Sequence, residues 1–369
     1  MDRRPCLLRA VTVATALAAA ALAATGLLAG CSSGKPAAAH PTTASSTWVD
    51  QNVSFTAGGV TVYGTYRHPA GPARNLPAVL LIAGSGPTDR NGDSPLISGS
   101  VGTLKTLADW LSADGVASLR YDKLGSGQTG LGPYQDKIDS IGIAPFEQES
   151  AAALTYLARQ PGVDQNRLGV IGHSEGALFA LLLATGEAGK VPPVHALGLL
   201  EPLSERYLDV IAAQVGAQIT AAQQAGQLTA AQASSLRKTL AAAIAQLRAK
   251  GTVPPNLPDG LSSLLSPSTA LYLSQADKYD PAQLAARLPA GFPALVSCSN
   301  ADIQVRCGEV GHLVGGLTRA KAATDFAHLN GVDHVLKQDA SRTGANYGKP
   351  LPFSTQLEQA LRTFVQQHL

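Results

Sequence analysis

The chain has 369 residues, 45% of them hydrophobic, which suits one large domain or two small ones with a real core. Its 28 Lys and Arg stand against 26 Asp and Glu. Without residues 1–30, which hold Arg3, Arg4, Arg9 and Asp2, 25 of each sign remain. This formal neutrality gives no electrostatic reason to expect a nucleic-acid partner.

Residues 1–30 read as a targeting signal. Three arginines precede an apolar or small-residue run without charge from Ala10 to Ala29. The run is about long enough to span a bilayer, so length does not separate a signal from a membrane helix. Leu28-Ala29-Gly30-Cys31 resembles a bacterial lipobox, in which the Cys thiol takes a diacylglycerol. The expectation is a signal peptide over 1–30, lipidation at Cys31, and an exported protein held on the extracytoplasmic face of the cell membrane. Residues 31–47, rich in Ser, Thr, Ala and Pro, form a flexible tether. With Cys6 and Cys31 so used, Cys298 and Cys307 remain. They would pair in an oxidising compartment, or stay as two free buried thiols, since bridging depends on their Cα separation.

The folded part begins near Trp48. Val53–Thr56 and Val60–Arg67 flank Ala57-Gly58-Gly59 as a hairpin. Pro77–Ala83 is a continuous apolar run, as a strand buried on both faces requires. Val101–Ala113 has helical spacing, Val116–Tyr121 reads as a strand, and Phe146–Arg159 as a helix stopped by Pro161-Gly162. Leu168–Ile171 is a short buried strand, Ala177–Thr185 a helix and Val194–Leu200 a strand. Strands alternating with helices predict a mostly parallel sheet covered on both faces.

Residues 204–290 break the alternation, with no convincing strand. Ile211, Val215 and Ile219 space as one helix and Leu236, Leu240, Ile244 and Leu247 as another, the second opened by a Thr229/Gln232 capping box. This segment reads as a helical cap inserted in a core of 48–203 and 291–369, and is expected to shape the binding pocket. Strand Phe292–Ser297, helix Val310–Ala322, strand Asp325–Asn330 and helix Thr355–His368 complete the α/β pattern. No internal repeat is present.

Gly172-His173-Ser174-Glu175-Gly176 fits G-x-S-x-G between a buried strand and a helix, the context of a nucleophile elbow. Glycines are needed there because a side chain two residues either side of the nucleophile would crowd the neighbouring strand and helix. Acyl transfer needs two N–H donors for the oxyanion. The amide of Glu175 is one, and the loop Ala83–Gly92 supplies the other, with Ser85 first and Gly86 second. That loop lacks the Gly-Lys-Ser/Thr of a phosphate loop. It also fails as a calcium loop, because position six is Ser94 and position twelve Ser100. The acid that orients the base is Asp302, just past a late strand and between Cys298 and Cys307, with Glu201 as the alternative. Among eight histidines, only His334 lies in a loop directly after the final strand. His173 should point away from the nucleophile.

These parts resemble the α/β-hydrolase superfamily from about Trp48 to the end. They are similar in particular to bacterial serine hydrolases grouped with serine aminopeptidase and dienelactone hydrolase-like proteins. The matching stretches are AGSGPTDRNG at 83–92, RYDKLGSG at 120–127, GHSEG at 172–176, DIQV at 302–305 and HVLK at 334–337. Ala83 and Arg306 depart from residues common in such proteins. The resemblance implies an α/β-hydrolase fold and a Ser174, Asp302, His334 triad, with Asp122 at a structural corner. It implies hydrolysis of a small-molecule ester or acyl substrate without metal or organic cofactor. Peptidase or thioesterase action, or a non-catalytic binding scaffold, are the alternatives.

Overall fold

The computed structural model describes residues 48–369. The signal at 1–30, the lipidation site Cys31 and the tether at 31–47 lie outside the described residues. No helix among the described residues is long and apolar enough to cross a membrane.

Eight strands form one sheet in the order β1-β2-β4-β3-β5-β6-β7-β8. They are β1 (Trp48–Ala57), β2 (Val60–Pro69), β3 (Leu76–Ile82), β4 (Ala117–Tyr121), β5 (Val163–His173), β6 (Ala196–Leu200), β7 (Pro293–Ser299) and β8 (Ala323–Leu329). The β1–β2 hairpin turns on Gly58 and Gly59, both at positive φ, as a tight two-residue turn demands. β2 pairs antiparallel with β4, and every later pairing is parallel. Parallel neighbours need crossovers, which the intervening helices supply.

β3 is buried along its whole length and alternates between two cores. Ala78, Leu80 and Ile82 face one, and Val79 and Leu81 the other. The second core is closed by α1 (Thr103–Ala113) and α10 (Thr355–His368). The first lies under α2 (Ala144–Ala158), α3 (Gly176–Ala184) and α9 (Cys307–Ala320). Truncating Leu80, which has no exposed surface, should cost about 2–5 kcal/mol.

Between β6 and β7 the described residues form helices alone: α4 (Tyr207–Gln224), α5 (Ala230–Lys250), α6 (Asp259–Ser262), α7 (Pro267–Ala276) and α8 (Pro281–Ala285). Thr229 Oγ1 accepts the Gln232 N–H at 3.2 Å and the Gln232 side chain accepts the Thr229 N–H at 2.9 Å, the reciprocal cap expected for α5. The insertion is knitted together at Asp277. This buried carboxylate takes Arg206 at 2.7 Å, Arg248 at 2.9 Å and the Leu208 N–H at 2.9 Å.

Candidate active site

Ser174 sits in the turn from β5 to α3 with φ 54, a conformation that non-glycine residues rarely adopt. Its own N–H is held by the Leu200 carbonyl at 2.9 Å, and its carbonyl takes Ala177 and Leu203 N–H groups. The flanking glycines are required by packing. A Cβ on Gly172 would run into the Gly176 backbone, and one on Gly176 would run into the Ile82 carbonyl of β3. Ser174 thus stands at the carboxyl edge of the sheet, one strand from the loop that follows β3.

His334 follows β8, and its Nδ1 lies 2.7 Å from Asp302 Oδ2. Asp302 follows β7. Its Oδ1 accepts the Gln304 N–H at 2.7 Å and the Val305 N–H at 3.1 Å. Burial alone would push this carboxyl up. The His334 imidazole and the two amides more than offset it and hold the group below its usual range. Cys298, in β7, and Cys307, opening α9, form a disulfide that closes the loop carrying Asp302. Ser174 and His334 line the same cleft.

Glu201, the alternative acid, is not the partner of His334. It directly follows β6, fully buried, with its N–H bound to Ser297 Oγ at 3.1 Å. Its Oε2 has no hydrogen-bond partner, and the Asp302 carboxylate acts on its carboxyl as a neighbouring charge. Burial, and then the Asp302 charge, push the Glu201 carboxyl far up, which favours its neutral form.

His173 does not point away from the site. It lines the cleft, and its Nε2–H donates to the His334 carbonyl at 2.7 Å. Burial, and then the neighbouring His334, lower its pKa to about 3, so it is neutral. The sequence signal was its place beside Ser174. What could not be read is that β8 ends close enough for the rings to lie 5.0 Å apart.

The loop after β3 carries Ser85 into the cleft wall beside Ser174. Gly84 lets it approach, because a Cβ there would lie 3.2 Å from Ser174 Cβ and 3.4 Å from His173 Nδ1. The N–H groups of Ser85 and Glu175 bind no protein acceptor among the described residues. Asp89 and Asp93 are spent on the loop itself. Asp89 Oδ1 accepts the Asn91 and Asp93 N–H groups, and Asp93 Oδ1 accepts those of Val101 and Gly102. Asp122 pairs with Arg90 through two contacts, at 3.0 and 2.6 Å, which is the structural corner expected of it.

The cleft narrows one expectation. Its walls come from residues between 83 and 104 with His173, Ser174, Gln304, His334, Val335 and Tyr347, and the insertion stands behind them, Gln214 donating to the Gln304 carbonyl at 2.7 Å. The β3–α1 loop is long enough to fold over the site. Buried Lys337 pins it against the C-terminal loop by donating to the carbonyls of Ser100, Tyr347 and Lys349. The inserted helices instead reach Glu175 from behind. Tyr207 and Tyr272 donate to its Oε1 at 2.7 and 2.6 Å.

No family model matches the chain. The mouse protein named inactive dipeptidyl peptidase 10 is 30% identical over 146 residues, 37% of this chain, and the match spans only 17% of that relative. Among solved structures, the acetyl xylan esterase from Paenibacillus sp. R4 superposes with a TM-score of 0.53 at 15% identity, over 88% of this chain and 85% of that one. Est1E from Butyrivibrio proteoclasticus, with ferulic acid bound, gives 0.52 at 14% identity, over 86% and 98%. An esterase from Pyrococcus furiosus gives 0.53 at 15% identity, over 87% and 91%. The mostly parallel eight-stranded sheet with helices on both faces is the α/β-hydrolase fold.

Proposed function

We propose that this chain is a serine hydrolase that cleaves small carboxylic esters through an acyl-enzyme. The observation that carries the reading is the buried bond between His334 Nδ1 and Asp302 Oδ2, with His334 lining the cleft that also holds Ser174 on its elbow. With Nδ1 engaged, Nε2 is the free face of the imidazole. It takes the Ser174 Oγ proton as Oγ attacks the ester carbonyl carbon, while Asp302 stabilises the imidazolium. The Ser85 and Glu175 N–H groups hold the oxyanion. The C–O bond breaks, the alcohol leaves with the proton from His334, and His334 then activates a water that releases the acid. No metal or organic cofactor enters these steps. The esterase names of the superposed structures support the ester as substrate class.

The test is p-nitrophenyl acetate hydrolysis by the full chain beside its Ser174→Ala variant. Activity lost in the variant is expected, and equal activity in both would overturn the assignment. A peptidase is the second reading, since the mouse relative is named for dipeptidyl peptidases, though as an inactive one. A matched amide substrate cleaved faster than the ester would select it. A fluorophosphonate that leaves Ser174 unlabelled would select a binding scaffold instead.

The lipobox-like residues before Cys31 support export and a lipid anchor on the outer face of the cell membrane. Cys31→Ala should move the protein from the membrane to the soluble fraction and abolish lipid incorporation at that residue.

A further inference from the structure

We propose that Lys123 is a positioning residue for the oxyanion hole, acting on both donors at once. The inference rests on the serine-hydrolase reading above.

Lys123 follows β4 and is buried, with 3% of its surface exposed. Its Nζ donates to the Gly84 carbonyl and lies 3.2 Å from Glu175 Oε2. Gly84 C=O and Ser85 N–H belong to one peptide group. Every described peptide bond is trans, so the carbonyl and the N–H of that plane point in opposite directions. An ammonium that fixes the Gly84 oxygen on one side therefore aims the Ser85 N–H to the other. A cation on the carbonyl also polarises the peptide and makes that N–H a stronger donor. The second donor is the N–H of Glu175, whose side chain is the counter-ion of the same lysine. One buried ion pair thus ties the loop after β3 to the nucleophile elbow and fixes the spacing of the two N–H groups.

The surroundings keep this pair in register. Glu175 Oε1 is occupied by the Tyr207 and Tyr272 hydroxyls, which leaves Oε2 for Lys123. Glu149 also faces the lysine. Burial raises its pKa to about 8, so at neutral pH it is uncharged and does not compete for the cation. A buried pair used only for stability is often replaceable by apolar groups. Here the lysine also binds a backbone oxygen that belongs to the peptide of a candidate oxyanion donor.

Two variants test the proposal in the full chain. Lys123→Met combined with Glu175→Gln removes both charges together and leaves no lone buried ion. The Gln oxygen still accepts from the two tyrosines. Glu175→Gln alone keeps the lysine but frees it. The loss of a whole oxyanion donor costs about 10²–10³ in kcat. A mis-aimed donor should therefore cost about 10- to 100-fold in kcat on p-nitrophenyl acetate in the double variant, and about tenfold in the single one, with KM within about twofold of wild type. The affinity of an alkyl trifluoromethyl ketone, whose adduct carries the oxyanion, should fall in step with kcat. A folded variant with wild-type kcat, or a loss that appears in KM alone, overturns the role of Lys123. A wild-type chain that neither turns over the ester nor labels at Ser174 overturns the hydrolase reading, and this one with it.

Discussion

The carboxyl groups of Glu201 and Asp302 share one closed interior at the ends of β6 and β7, where burial and mutual repulsion push Glu201 up while the His334 imidazole holds Asp302 down. Asp302→Asn would reverse the hydrogen-bonding face offered to His334 and should lower kcat by about 10⁴. Glu201→Gln keeps the shape of a side chain that does not touch His334 and should cost about tenfold or less. Comparing kcat for the two variants on one ester checks the order, and the opposite order would make Glu201 the orienting acid.

The neutral state of Glu149 sets a pH dependence. Its carboxyl is buried and accepts the Leu124 N–H at 3.1 Å, and its pKa rises from 4.5 to about 8. Below pH 4.5 both the folded and unfolded chains hold the proton. Above it the unfolded chain releases the proton first, so folding loses stability as pH climbs toward about 8. Glu149→Gln has no proton to lose and keeps an acceptor for Leu124. Its stability advantage should be near zero at pH 4.5 and reach a few kcal/mol at pH 8. Urea titrations at the two pH values measure it, and an advantage that does not grow with pH would remove Glu149 as the cause.

His173 steadies the base through its backbone. His173→Phe keeps a ring against His334 but loses the proton donated to the His334 carbonyl. A small displacement of a reacting group can cost about 10²-fold. We expect kcat to fall about 10- to 100-fold with the fold intact by circular dichroism. An unchanged kcat would reduce His173 to packing.

Leu96, half exposed at the rim of the cleft, should select acyl length. Leu96→Ala removes contact worth about 1 kcal/mol to a longer chain. The preference for p-nitrophenyl butyrate over acetate, read as a ratio of kcat/KM, should fall about fivefold. Leu236→Ala in the inserted helices should leave that ratio alone, and a shift there would return the cap to the pocket.

The alternation of strands and helices was legible because apolar runs bounded by glycine and proline dominate it. β5 was read too short. After Val163 come Asp164, Gln165 and Asn166, which are polar and lack alternation, yet neighbouring β3 pairs with Val163. Ser174, Asp302 and His334 could be picked out because each follows a strand, and parallel strands bring such loops to one edge. The lining of the cleft could not be read. Whether the β3–α1 loop or the insertion covers Ser174 depends on contacts such as Lys337 with Ser100, which join residues far apart in the chain. His173 and Lys123 were passed over for the same reason. Each acts on a backbone carbonyl contributed by a distant segment.

The insertion between β6 and β7 leaves and re-enters at adjacent strands, so the sheet itself would close without it. Its hold on Glu175 changes what that means. Shortening the chain there would strip two hydroxyl donors from the residue after Ser174 and leave a buried carboxylate bound by one lysine alone. A replacement for this segment in a related chain would therefore have to bring its own pair of donors to the same spot. The module is interchangeable in outline but keyed to the nucleophile elbow at Oε1 of Glu175.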